Sequence, residues 1–64
     1  MPPKVGILER QLKKAGFIYF AGKGSHRKYI HPTGEVVVIS GNAGKDAHHY
    51  QVKMVQDAIS LVEK

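Results

Sequence analysis

The sequence predicts an α+β fold in the order α-β-β-β-α, with a three-stranded antiparallel sheet and two helices on one of its faces. Three observations carry this reading. Apolar residues recur at helical spacing near both ends of the chain, and between them lie three short runs rich in β-branched or aromatic residues. Each run is bounded by glycine or proline. At 64 residues the chain reads as a single domain, 1–64. A domain of that size buries only about 60% of its unfolded surface, so every apolar face matters.

The first helix rests on Val5, Leu8, Leu12 and Ala15, with Ile7 and Gln11 flanking the stripe and Lys4, Arg10, Lys13 and Lys14 elsewhere. Pro3 suits its first turn and Gly16 its C′ position. Residues 17–20, Phe-Ile-Tyr-Phe, read as the first strand, with its aromatics mostly in the core. A glycine loop follows, then a second strand from about His26 to His31. Period two puts His26, Lys28 and Ile30 on one face and Arg27, Tyr29 and His31 on the other, with Tyr29 inward and His26 and Lys28 toward solvent. His31-Pro32-Thr33-Gly34 has proline second and glycine fourth, as a turn requires. Residues 35–39, Glu-Val-Val-Val-Ile, make the third strand.

Residues 40–45, Ser-Gly-Asn-Ala-Gly-Lys, form a glycine-rich loop leading into the last helix. Such a lead-in can hold phosphate on backbone N–H groups, although the spacing of a Walker loop is missing. Asp46 is the expected cap. Val52, Val55, Ile59 and Val62 then give a second apolar stripe, widened by Met54, Ala58 and Leu61.

Composition narrows the function classes. The chain has no cysteine, so it has neither a disulfide framework nor a thiolate metal cluster. No apolar run approaches the ~20 residues of a membrane span, and Met-Pro-Pro-Lys lacks the apolar core of a signal peptide. A soluble, cytoplasmic protein with no membrane partner is expected. The net charge of +5 is lopsided, since residues 1–31 hold seven Lys/Arg against one Glu, and residues 32–64 hold three Lys against four acids. A basic half on a small domain favours nucleic acid or an acidic partner protein.

The chemistry concentrates in Gly22-Lys23-Gly24-Ser25-His26-Arg27-Lys28. Glycine lets backbone approach a bulky ligand, and the cations suit a polyanion. A histidine imidazole can both take and give a proton near neutral pH. With RNA as ligand, the 2′-hydroxyl is a ready nucleophile. A positioned base takes its proton, and neighbouring cations stabilise charge on the phosphorus oxygens. His26 is thus the candidate general acid/base, and no metal or cofactor is required. The other histidines point elsewhere. His48 and His49 are adjacent and diverge by about 100° on a helix, no His-x-x-x-His spacing occurs, and His31 abuts a turn. No metal site is expected.

The run of a helix, Ala15-Gly16-Phe17, a short strand, and then Lys23-Gly24-Ser25-His26-Arg27-Lys28-Tyr29-Ile30-His31-Pro32-Thr33-Gly34 resembles the HicA toxin family of bacterial toxin–antitoxin systems. The likeness covers nearly the whole chain. It implies a double-stranded-RNA-binding-domain-like fold and a ribonuclease that cleaves mRNA. It also implies a HicB-type antitoxin that covers the active site. The family's catalytic histidine is the one in Gly-Ser-His, which is His26 here. In this reading Gly24 and Ser25 shape the loop, Lys23, Arg27 and Lys28 hold phosphate, and Lys45 meets a phosphate from the start of the last helix. The loop at 40–45 departs from the family's His-x-Gly-Lys type. Two rival readings stay open: a non-catalytic RNA-binding module, and an interaction subunit whose basic face serves an acidic protein.

Overall fold

The computed structural model describes residues 2–24 and 26–63. Its elements are α1 (Val5–Lys14), β1 (Ile18–Ala21), β2 (Arg27–Ile30), β3 (Val36–Ile39) and α2 (His49–Val62), the expected α-β-β-β-α order. The sheet is antiparallel with strand order β1-β2-β3, so β1 and β3 are its edges. Both helices lie on one face. The core joins Val5, Leu8 and Leu12 of α1 to Tyr29, Val37 and Ile39 of the sheet and to Val55 and Ala58 of α2, with Phe17 and Ala47 filling in.

Helix α1 stops where its sequence says it should. Gly16 takes a positive φ of 103°. The Phe17 N–H then reaches the Leu12 carbonyl at 3.0 Å and the Gly16 N–H reaches that of Lys13 at 3.1 Å. This pair of bonds satisfies carbonyls that the helix end would otherwise orphan, and it turns the buried Phe17 back onto the helix. The start of α1 is less local. Lys4 is the N-cap, and Pro3 precedes it rather than opening the first turn. The first two helical N–H groups, Val5 and Gly6, donate to the carbonyls of Lys45 and Ala43 at 2.8 and 2.9 Å. Lys4 and Asp46 form an antiparallel bridge reinforced by their side-chain ion pair, and the Ala47 N–H donates to the Pro3 carbonyl.

Asp46 is therefore not the cap of α2. That helix begins three residues later, with His48 at the N-cap, whose N–H donates to the Gln51 Oε1 at 2.8 Å. The buried Gln51 also donates to the Ser40 carbonyl, so a single amide covers the helix start and the end of β3. Val55 and Ala58 are buried, and Val52, Met54, Ile59 and Val62 pack against the core. Leu61, expected in the stripe, stands exposed on the flank of α2.

Register divides the sheet cleanly. Tyr19 faces Tyr29, which faces Val37; Ala21 faces Arg27, which faces Ile39. These residues point toward the helices. The outward rows are Ile18–Ile30–Val36 and Phe20–Lys28–Val38. Among the described residues no helix covers the outer face, and its Ile18, Phe20, Val36 and Val38 are 45–54% exposed. The β1 aromatics therefore depart from the expected core placement. Of residues 17–20 only Phe17, which precedes the strand, is buried: Ile18 and Phe20 lie on the face without helices, and Tyr19, in the inner row, is still 47% exposed at the sheet edge.

The hairpin from β2 to β3 closes as expected. The Gly34 N–H donates to the His31 carbonyl at 2.8 Å, with Gly34 at φ 99°. His31 is structural. Its ring lies edge-on to Phe17 at 5.1 Å, and its Nδ1 accepts from the Thr33 N–H.

Candidate active site

The loop between β1 and β2 sets the position of His26. The last cross-strand pair is Ala21 with Arg27, which leaves residues 22–26 to turn the chain. The His26 N–H donates to the Lys23 carbonyl at 3.0 Å, closing a tight turn, and Gly24 sits inside it at φ 59°. Gly22 presses against the other side of the turn. A Cβ added there would lie 2.6 Å from the His26 carbonyl oxygen and 3.4 Å from its Cβ. Glycine at 22 is thus a requirement of close backbone approach. Ser25 lies outside the described residues.

His26, Lys23 and Lys28 line one open cavity of about 470 Å³, together with Ala21, Gly22 and Val38. The imidazole and both lysines are exposed, His26 and Lys28 as the alternation along β2 predicts, and the lining contains no acid. A proton-transfer group thus shares a recess with two cations, which suits acid/base work on a bound phosphate. Among the described residues, no group of three His, Cys, Asp or Glu comes together that could hold a metal ion.

Arg27 belongs to the opposite side of the sheet. Its Nε donates to Glu9 Oε2 at 2.7 Å, and its Nη2 to Glu9 Oε1 at 3.0 Å and to the Gly41 carbonyl at 2.6 Å. The Tyr29 hydroxyl donates to the same carboxylate. Arg27, expected to hold phosphate beside His26, is instead bonded to Glu9 and does not line the His26 cavity. The one-residue step that turns Lys28 out turns Arg27 in, onto the only acid of the basic half. Burial disfavours the charged form of Glu9, but hydrogen bonds from Arg27 and Tyr29 and the charges of Arg27 and Lys13 outweigh it. Together they hold the carboxyl below its ordinary range. Burial and the Glu9 hydrogen bond push the Tyr29 phenol upward.

Lys45 is exposed and stands apart from this cavity. It precedes the α2 cap by three residues, and its carbonyl serves α1. Two carbonyls of the glycine-rich loop, those of Ala43 and Lys45, thus serve the start of α1.

Glu9 is the residue that reading the sequence missed. It lies four positions after Val5 and next to Leu8, inside the buried stripe, and is itself buried. A lone acid in that stripe among seven cations was the available signal.

No curated protein significantly matches the chain. A family model described as "HicA toxin of bacterial toxin-antitoxin" matches residues 7–61. The match takes in most of both helices and all three strands, and with them the loop that carries His26, so the chain belongs to the HicA family of bacterial toxin–antitoxin toxins.

Proposed function

We propose that this toxin is a metal-independent endoribonuclease that cleaves mRNA in the cytoplasm, with His26 as the general acid/base. The observation that carries the reading is the shared cavity: His26 opens to solvent between Lys23 and Lys28 in a recess without acids. In this mechanism the imidazole takes the proton of a ribose 2′-hydroxyl. The 2′-oxygen attacks the adjacent phosphorus, and the bond from phosphorus to the 5′-oxygen breaks. The departing 5′-oxygen takes a proton from the imidazolium or from water, which leaves a 2′,3′-cyclic phosphate and a 5′-hydroxyl. Lys23 and Lys28 stabilise the charge that grows on the phosphoryl oxygens. Gly24 shapes the loop, and Lys45 provides a separate phosphate contact away from the recess.

A HicB-type antitoxin is the proposed protein partner. A partner laid across the outer sheet face would close the mouth of the cavity, because Lys28 and Val38 belong to both.

The test is cleavage of a long single-stranded RNA in the presence of chelator, by the wild type and by His26→Ala. Cutting by the wild type alone, with cyclic-phosphate ends and an unchanged circular dichroism spectrum for the variant, is the expected result. Equal cutting by both proteins would remove His26 from the chemistry. RNA retained on a gel but uncut by either would leave a binding module.

A further inference from the structure

We infer that Phe20 is a stacking platform for an unpaired nucleobase flanking the phosphate held at His26. This rests on the ribonuclease reading and extends it to a substrate class, single-stranded RNA. Phe20 stands on the outer face of the sheet, 48% exposed, in register with Lys28, which is in register with Val38. Lys28 and Val38 also line the His26 cavity, so the ring and the recess form one continuous surface. Adjacent strands lie about 4.8 Å apart, which sets the ring one strand spacing from the lysine.

The charge of this surface selects its occupant. The strands turn outward Ile18, Phe20, Lys28, Ile30, Val36 and Val38, one cation and no acid. The recess adds Lys23 and again no acid. A ligand that fits is both anionic and flat, which describes a nucleic-acid strand whose bases are out of their stack. A duplex keeps its bases stacked on one another and offers no ring to Phe20. Because β1 is an edge strand, a base can reach Phe20 from the side as well as from above.

A purely apolar protein surface would use the same face for its hydrophobicity, so the aromatic ring is what must be tested. Phe20→Leu keeps most of the apolar bulk and removes the ring, whereas Phe20→Tyr keeps the ring. Each is combined with His26→Ala in the full chain, so that RNA stays intact. The proteins are titrated into short single strands carrying 2-aminopurine at successive positions. The expected result is quenching at one position by His26→Ala alone and by its Phe20→Tyr combination. The Phe20→Leu combination should lose the quench and bind on the order of tenfold more weakly, and a duplex of the same sequence should compete poorly. Affinity and quenching unchanged by Phe20→Leu, while the wild type still cuts RNA, would overturn the stacking and leave the face to a protein partner. RNA neither bound nor cut by the wild type would overturn the ribonuclease reading along with it.

Discussion

Gly22 and Gly24 flank the same turn but are constrained in different ways. A side chain at 22 would run into the His26 carbonyl, whereas one at 24 would meet nothing within 4 Å and would suffer only from its φ of 59°. Gly22→Ala must therefore move the backbone that carries the imidazole. We expect it to lower the RNA cleavage rate more than tenfold and to destabilise the fold by about 1–3 kcal/mol. Gly24→Ala should cost about 1 kcal/mol through strain alone and leave more of the rate intact. Single-turnover cleavage beside thermal melts of both variants checks the contrast, and equal rate losses would show that strain alone governs the loop.

At the scale of elements, the Glu9–Arg27–Tyr29 group fastens α1 to β2 and, through the Gly41 carbonyl, to the loop after β3. Glu9→Gln removes the charge that Arg27 and Tyr29 bond to and should destabilise the fold by about 2–3 kcal/mol. The acid dependence follows in sign. The Glu9 carboxyl is held below its ordinary value in the folded chain, so its contribution is complete above the unfolded pKa of about 4.3. That contribution is lost as pH falls through the lower folded value. Urea midpoints between pH 6 and pH 3 should fall further for the wild type than for Glu9→Gln, and parallel curves would deny Glu9 this role.

The same group shows why part of the fold was legible in the sequence and part was not. The stripe of α1, its stop at Gly16-Phe17 and the 31–34 turn are decided by neighbours in the chain, and each was readable from spacing alone. So was the division of β2 that sends Lys28 out and Tyr29 in. Arg27 and Glu9 are 18 positions apart, and nothing local marks either as the other's partner. Asp46 looked like a helix cap for the same reason, since Lys4, which holds it, is 42 positions away. The exposure of the β1 aromatics depends on which sheet face the helices cover, for Phe20, and on strand order, for Tyr19 at the edge, and spacing encodes neither.

For the whole molecule, the net charge of +5 sets a general attraction for polyanions, while the recess uses only two of its cations. Salt should separate these contributions. On single strands each neutralised phosphate contributes about −0.7 to the slope of log affinity against log salt, so Lys23 and Lys28 together give about −1.4. Lys28→Ala should flatten the slope by about 0.7, whereas Lys53→Ala, on α2 beside Asp57, should leave it unchanged. Filter binding of His26→Ala protein from 50 to 300 mM salt reads this directly. Equal flattening by both substitutions would mean diffuse attraction without a defined phosphate track.

The bond between the start of α1 and the loop before α2 also fixes an order of assembly. The amides of Val5 and Gly6 find their acceptors only at Lys45 and Ala43, and Pro3 finds its donor only at Ala47. While the chain is being synthesised, its first helix can coil, but its two leading amides have only water to donate to until residues some forty positions later have emerged. A chain ending at Asn42 has every strand of the sheet and the whole His26 loop, yet it lacks the acceptors that seat the first helix. The first helix can therefore take its final seat only once residues 43–47 have been made.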